Sequence, residues 1–237
     1  MPSQTELLYE LGLEEQVCGI TRFCIHPSHW RQTKKNVGGT KKINMDAVRK
    51  LQPDLILANR EENIKEQVEM LAADYPVWVT DVHDLGSALS MIGDVGNLTG
   101  KPDKAGEIRK KIEAAFSSLS LSEVGYRTAY LIWKDPYMSV GHDTFIDDML
   151  RRIGLKNIFA ERTRYPEVTI GQIRERGCQL LLLSSEPYPF KASHVSELQQ
   201  ALPETSVQLV DGEMFSWYGS RLLKSAGYFR ELIREIA

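Results

Sequence analysis

Long apolar runs, a cysteine framework and a dominant charge are all missing from this chain. No segment of its 237 residues approaches the ~20 consecutive apolar residues that a membrane-spanning helix needs. The three cysteines, Cys18, Cys24 and Cys178, are an odd number, which excludes a full disulfide framework and makes reduced, buried thiols the expectation. A net charge of -3 gives no electrostatic basis for holding nucleic acid or an anionic membrane. Catalytic signatures are missing too. Gly38-Gly39 does not extend to a phosphate-binding loop, and no Gly-x-Ser-x-Gly elbow or His-Glu-x-x-His helix occurs. These absences point away from the common hydrolases, kinases and dehydrogenases, and no enzyme is expected. Behind Met1 there is no basic segment followed by an apolar one, so either the protein is cytoplasmic or an export signal lies upstream.

What is present is a repeat. Residues 48–61 align without a gap on residues 173–186, an offset of 125 positions. Each copy reads as the end of an amphipathic helix, a break (Gln52-Pro53 or Gly177-Cys178), and an apolar run, Leu55 to Ala58 or Leu180 to Leu183. So short an apolar run is the mark of a strand buried on both faces of a parallel sheet. A second echo, Leu11-Gly12-Leu13 and Ile153-Gly154-Leu155, closes a helix in each half. The expected fold is α/β: two Rossmann-like lobes with parallel sheets, joined by a long helix, with a ligand held between them.

The expected boundaries are an N-terminal lobe over 1–82, a helical connector over 83–122 and a C-terminal lobe over 123–237. In the first lobe Ser3 and Glu6 read as N-cap and capping-box partner of the opening helix, and Asn44 as the cap of a helix ending at Leu51. Strands are expected at Val17 to Thr21, Leu55 to Ala58 and Pro76 to Thr80. In the connector, Leu85, Leu89, Ile92, Val95 and Leu98, then Ile108, Ile112 and Phe116, keep helical spacing around a break at Gly100-Lys101-Pro102. In the second lobe, strands are expected at Thr128 to Trp133, Leu180 to Leu183 and Val207 to Val210, with a closing helix from Ser220.

Aromatics concentrate in the loops expected after strands: Phe23 and Trp30, Trp133 and Tyr137, Tyr165, Tyr188 and Phe190, then Phe215, Trp217 and Tyr218. Ligands of open α/β sheets sit where such loops converge, and rigid aromatic faces suit a large planar or apolar ligand. About half of these rings are expected to anchor their own lobe; Trp133, Tyr165 and Trp217 are the strongest ligand candidates. Cys24-x-His26-Pro27-x-His29 is the one metal-like cluster, but spacing supplies no fourth ligand. His26 is therefore read as a hydrogen-bond donor to a bound chelate or an axial ligand to its metal. Glu62 and Glu66 in one half, and Glu175 and Glu186 in the other, are candidates for docking a basic partner surface.

Taken together, these residues resemble the helical-backbone (class III) solute-binding proteins of ABC transporters, the group that holds cobalamin and ferric-siderophore binders. The resemblance covers nearly the whole chain. It rests on Pro2-Ser3-Gln4-Thr5-Glu6-Leu7-Leu8, Gly19-Ile20-Thr21 leading to His26-Pro27, and Leu51-Gln52-Pro53-Asp54-Leu55-Ile56. It continues through Asp143-Thr144-Phe145, Tyr165-Pro166-Glu167-Val168 and Ser184 to Phe190. It implies delivery of a corrinoid, haem or ferric siderophore to an ABC permease, by a monomer at the periplasm or cell surface. No intrinsic cofactor is implied; the bound ligand is a cobalt or iron chelate. In cobalamin-binding members the position of Asn59 is aromatic, the second-lobe contact falls on Tyr165, and the closing loop falls on 215–218. The resemblance also implies a first strand ahead of Pro2. The two docking glutamates of the family fall on Lys65 and Gly171. That departure keeps open a cytoplasmic carrier or sensor of a tetrapyrrole-like ligand. A chelatase-like enzyme, which needs a histidine and an acid facing each other, ranks last.

Overall fold

The structure is a computed structural model that describes residues 1–119 and 125–236. It separates into two compact units, Met1–Val82 with Gly86–Lys111 and Tyr218–Arg221, and His83–Leu85 with Ile112–Trp217 and Leu222–Ala237. In chain order the elements up to the connector are α1 (Pro2–Glu10), β1 (Gly19–Ile20), α2 (Trp30–Thr33), β2 (Lys35–Asn36) and α3 (Met45–Leu51). They continue with β3 (Ile56–Asn59), α4 (Lys65–Ala72), β4 (Val77–Thr80) and α5 (Leu85–Leu98). The long helix α6 (Pro102–Ser117) runs from the first unit into the second. There follow β5 (Arg127–Leu131), α7 (Phe145–Arg152), β6 (Lys156–Asn157), α8 (Ile170–Glu175) and β7 (Leu180–Ser184). The chain closes with α9 (Ala192–Ala201), β8 (Ser206–Val210), α10 (Gly212–Ser216) and α11 (Leu222–Ile236).

Unit 2 has a four-stranded, all-parallel sheet in the order β6-β5-β7-β8. Its middle strand β7 is buried along its whole length, with Leu181 to Leu183 at 0% exposure, as a central strand covered on both faces requires. Ala129, Leu131, Phe159, Ile173 and Leu198 pack around it. Thr144 caps α7 by accepting from the Asp147 amide, and Thr169 forms a capping box with Gln172 on α8.

Unit 1 has two parallel pairs, β1-β2 and β3-β4, with no pairing between them. Asn44 caps α3, its Oδ1 accepting from the Ala47 amide at 3.0 Å. Gln52 then takes a left-handed φ of 47°, which stops the helix ahead of Pro53. The opening of the chain differs from expectation. Helix α1 starts at Pro2, whose missing N–H costs nothing in a first turn, and no side chain caps it. Ser3 is inside the helix, and Glu6 accepts from Arg221 Nε at 2.8 Å in a buried ion pair instead of closing a capping box. Strand β1 falls within the expected Val17 to Thr21, whereas β2, β6 and the short helices α2 and α10 carry too little periodicity to stand out in the sequence; α9 was likewise not anticipated.

Both sequence echoes are structural. Helices α1 and α7 end alike: Gly12 and Gly154 adopt φ of 76° and 77°, and the following leucines donate back to Leu8 and Leu150 carbonyls at 3.0 Å each. These are six-to-one closures that only a left-handed residue permits, hence glycine.

Candidate ligand-binding surface

The strands of unit 2 deliver a set of rings beyond their carboxyl ends. Trp133 follows β5 and is 40% exposed, held by a bridge to Met138, which in turn bridges to Glu167. Tyr188 follows β7, its amide donating to the Ile132 carbonyl, and its ring meets Trp133 edge-on at 5.7 Å. Behind Tyr188 stand Phe190 at 4.8 Å and His194 at 5.6 Å, both from the start of the α9 segment. Tyr137 packs half-buried against the same core, and burial raises its phenol pKa. Beside it the Lys134 ammonium pairs with Glu197 at 2.7 Å, which lowers the carboxyl pKa of Glu197. Tyr165 is half-buried with the Arg164 guanidinium 5.9 Å from its ring centroid. The result is an aromatic ledge, Trp133 outermost, edged by the Lys134–Glu197 ion pair and by Arg164 beside Tyr165.

Other candidates belong to the interior. Phe215 is fully buried, with Tyr130 at 5.1 Å and Phe229 at 4.8 Å, so it is a core ring of unit 2. Trp217 is 5% exposed and donates its indole N–H to Glu186 Oε1 at 2.7 Å, an oxygen that also takes the Ser216 hydroxyl at 2.6 Å. Glu186 is therefore an internal anchor rather than a docking acid. Burial raises its pKa, against the two hydrogen bonds that lower it. Tyr218 is buried in unit 1.

In unit 1, Trp30 is 0% exposed, packs with Ile20 and Cys24, and donates to Glu14 Oε1 at 3.1 Å; it is core, not contact surface. Asn59 is equally committed. Its Nδ2 donates to the Thr80 carbonyl and hydroxyl at 3.2 and 3.0 Å, and its Oδ1 accepts from the amides of Glu61 and Glu62. Its bonding capacity is filled within the unit. The metal-like cluster does not assemble: Cys24 is buried against the hydroxyls of Thr5 and Thr21, and His29 bonds Glu14 at 2.9 Å. Among the described residues no three His, Cys, Asp or Glu side chains are gathered to hold a metal, and His26 is half-buried. The more exposed of two exposed aromatics here, beside Tyr9 at 39%, is Phe23, 48% exposed, past the end of β1 beneath the Arg22 guanidinium at 4.9 Å. Glu62, Glu66 and Glu175 are exposed, while Lys65 lies 3.6 Å from Glu69 and Gly171 is exposed.

Residues 1–205 match the model of the family described as periplasmic binding protein. The chain belongs to that family. This binding protein is 28% identical over 184 residues to an uncharacterized ABC transporter substrate-binding lipoprotein of Bacillus subtilis, a match covering 71% of the chain and 57% of that relative's length. It is 25% identical over 232 residues to the vitamin B12-binding protein of Pectobacterium carotovorum, covering 95% of the chain and 83% of the relative. In fold it is similar to the periplasmic haem-binding protein RhuT of Roseiflexus sp. RS-1, with a TM-score of 0.85 at 17% identity over 99% of this chain and 95% of that one. The family consists of substrate-binding proteins of transporters. No helix among the described residues is long and apolar enough to cross a membrane.

Proposed function

We propose that this protein binds a large, flat metal chelate of the corrinoid, haem or ferric-siderophore class and hands it to an ABC importer. The observation that carries the reading is Trp133. A large aromatic left 40% exposed at the carboxyl end of a parallel strand, braced edge-on by Tyr188, offers a preformed apolar face where ligands of such sheets bind. Vitamin B12- and haem-binding relatives support that ligand class. On this reading the protein binds and does not catalyse, and it works outside the cytoplasm as a monomer. Trp133, Tyr188, Tyr137 and Tyr165 contribute the ligand contacts of unit 2. Glu62, Glu66 and Glu175 remain for docking, since each is exposed.

The test is an absorbance-monitored titration with cyanocobalamin, haemin and a ferric siderophore in parallel. Saturable binding of one of them, weakened about tenfold or more in Trp133→Ala, is the expected result. Saturable binding unaffected in Trp133→Ala and Tyr188→Ala would move the site elsewhere, and no binding of any compound would remove the ligand class.

A further inference from the structure

We infer that Glu197 of α9 is a positioning residue for ligand binding: through Lys134 it holds Trp133 facing outward, so that α9 sets both Trp133 and Tyr188 of the ledge. The inference rests on the reading of that ledge as the ligand surface. Its starting point is an inversion at the end of β5. Trp133 is 40% exposed, whereas the side chain of the lysine beside it is only 17% exposed. Lysines are ordinarily among the most exposed residues and tryptophans among the well-buried ones. The ring stays out because its neighbour is held in.

What holds Lys134 is Glu197. The ammonium donates to both carboxylate oxygens, at 2.9 and 2.7 Å, and the Tyr137 hydroxyl donates to the same carboxylate. A charged pair closed at both oxygens fixes direction as well as distance. Its support is firm too. Helix α9 is seated on the sheet through Leu198, 1% exposed, and the chain just beyond it through Leu202, 2% exposed. The carboxylate is therefore mounted on an element that does not belong to the ligand loop.

The backbone of that loop needs the support. Its ends are closed by the Ile132 amide on the Met138 carbonyl at 3.0 Å and the Met138 amide on the Trp133 carbonyl at 3.2 Å. Between them Asp135 has a φ of 65°, in the left-handed region that a residue other than glycine keeps only where its surroundings hold it. Lys134 precedes Asp135 and Tyr137 follows shortly after it, and both are bonded to Glu197. Two tethers to one carboxylate thus bracket the strained residue.

The same helix supports the second ring. His194 lies one turn before Glu197 on the same face of α9. Its ring stands against Tyr188 at 5.6 Å and Phe190 at 5.5 Å, and its Nδ1 is fixed by the Lys191 amide at 2.9 Å. Tyr188 is thus backed by His194, and Trp133 is aimed by Glu197 through Lys134. An ion pair at the surface adds little to stability. Cutting this one is therefore expected to act on the orientation of Trp133 and on affinity, with little effect on Tm.

The experiment labels the chain with fluorotryptophan and follows its four indole signals by fluorine NMR, with Trp133 assigned through Trp133→Phe. Lys134→Met keeps the aliphatic stem and removes the charge, and Glu197→Gln removes the charge of its partner. In both, the Trp133 signal should shift or split while the other three stay in place and Tm stays within about 3 °C. Lys134→Arg, which again offers two donors to the carboxylate, should restore the native signal. Cyanocobalamin, haemin and a ferric siderophore are then titrated in parallel. The compound that the native chain binds should bind about fivefold or more weakly in each variant, and no more weakly in the double variant. A Trp133 signal unmoved in both variants, or an equal shift of all four signals, overturns the inference. So does unchanged affinity where the signal has moved. Failure of the native chain to bind any of the three compounds strikes the ligand reading alone, because the fluorine signals still decide whether Glu197 positions Trp133.

Discussion

Trp217 and Ser216 both donate to one oxygen of Glu186, at 2.7 and 2.6 Å, so a single half-buried carboxylate ties the end of β7 to the end of α10. The tie is electrostatically expensive. Burial raises the Glu186 pKa above its ordinary 4.5, and the nearby Glu213 and Asp211 charges push the same way. A carboxyl whose folded pKa is raised binds its proton more tightly folded than unfolded. Its contribution to stability is then highest below about pH 4.5 and falls as pH climbs to the raised value. Glu186→Gln keeps an acceptor for both donors and removes the charge. Urea unfolding should show the variant gaining on the native protein as pH rises from 4.5 toward neutrality, with a constant difference below pH 4. A difference that is the same at pH 4 and pH 7 would show that the carboxylate is not penalised.

Two tryptophans predicted as contacts should now behave oppositely. Trp30→Ala empties a fully buried site packed with Ile20 and Cys24 and removes one of the two side-chain hydrogen bonds that Glu14 Oε1 shares with Trp30 and His29. A loss of about 3–5 kcal/mol is expected from denaturant unfolding. Trp133→Ala removes a ring already 40% exposed, and its loss should stay near 1 kcal/mol while ligand affinity falls. Similar stability losses in both would contradict the division into core ring and ledge ring.

That division marks the limit of what the sequence could say. The parallel lobes were legible because an apolar run recurs at a fixed offset, and because Asn44 and Thr144 stand where caps belong. Whether a loop aromatic points into its own core is decided by contacts from distant elements, such as Tyr130 and Phe229 around Phe215 or Glu186 beneath Trp217. No local pattern encodes those. Tyr188, the brace of the exposed tryptophan, was noted only as one aromatic among several. Only the edge-on contact with Trp133 gives it a role. Asn59 misled for the reverse reason: its position matched a contact, while its amide is filled by Thr80 and the 61–62 backbone.

The Thr80 hydroxyl accepts from Gln4 and Asn59 and donates to the Ala58 carbonyl at 3.1 Å, so three side chains share one buried oxygen. Removing a single member leaves buried partners unsatisfied. Asn59→Ala and Thr80→Ala should each cost about 2–3 kcal/mol. The double variant should cost clearly less than the sum, since the second removal breaks bonds already lost. Strict additivity in a double-mutant cycle would show that the two residues act separately.

Gly212 makes the Glu186 anchor possible. A Cβ there would lie 2.4 Å from Ser184 Oγ, 2.6 Å from Glu186 Cγ and 3.0 Å from the Glu186 amide nitrogen. Two of these atoms are fixed: the Ser184 hydroxyl bonds Tyr130 and the Glu186 carbonyl, and the amide is backbone. The Gly212 amide is itself held by Ser185 Oγ at 2.9 Å, so α10 cannot simply slide away. Gly212→Ala should therefore destabilise by about 1–3 kcal/mol through overpacking, and it should displace Trp217 from Glu186. The displacement is read as a change in tryptophan emission, absent when Glu186→Ala has already cut the tie. Full stability with unaltered emission in Gly212→Ala would mean that β7 and α10 do not meet as closely as these distances require.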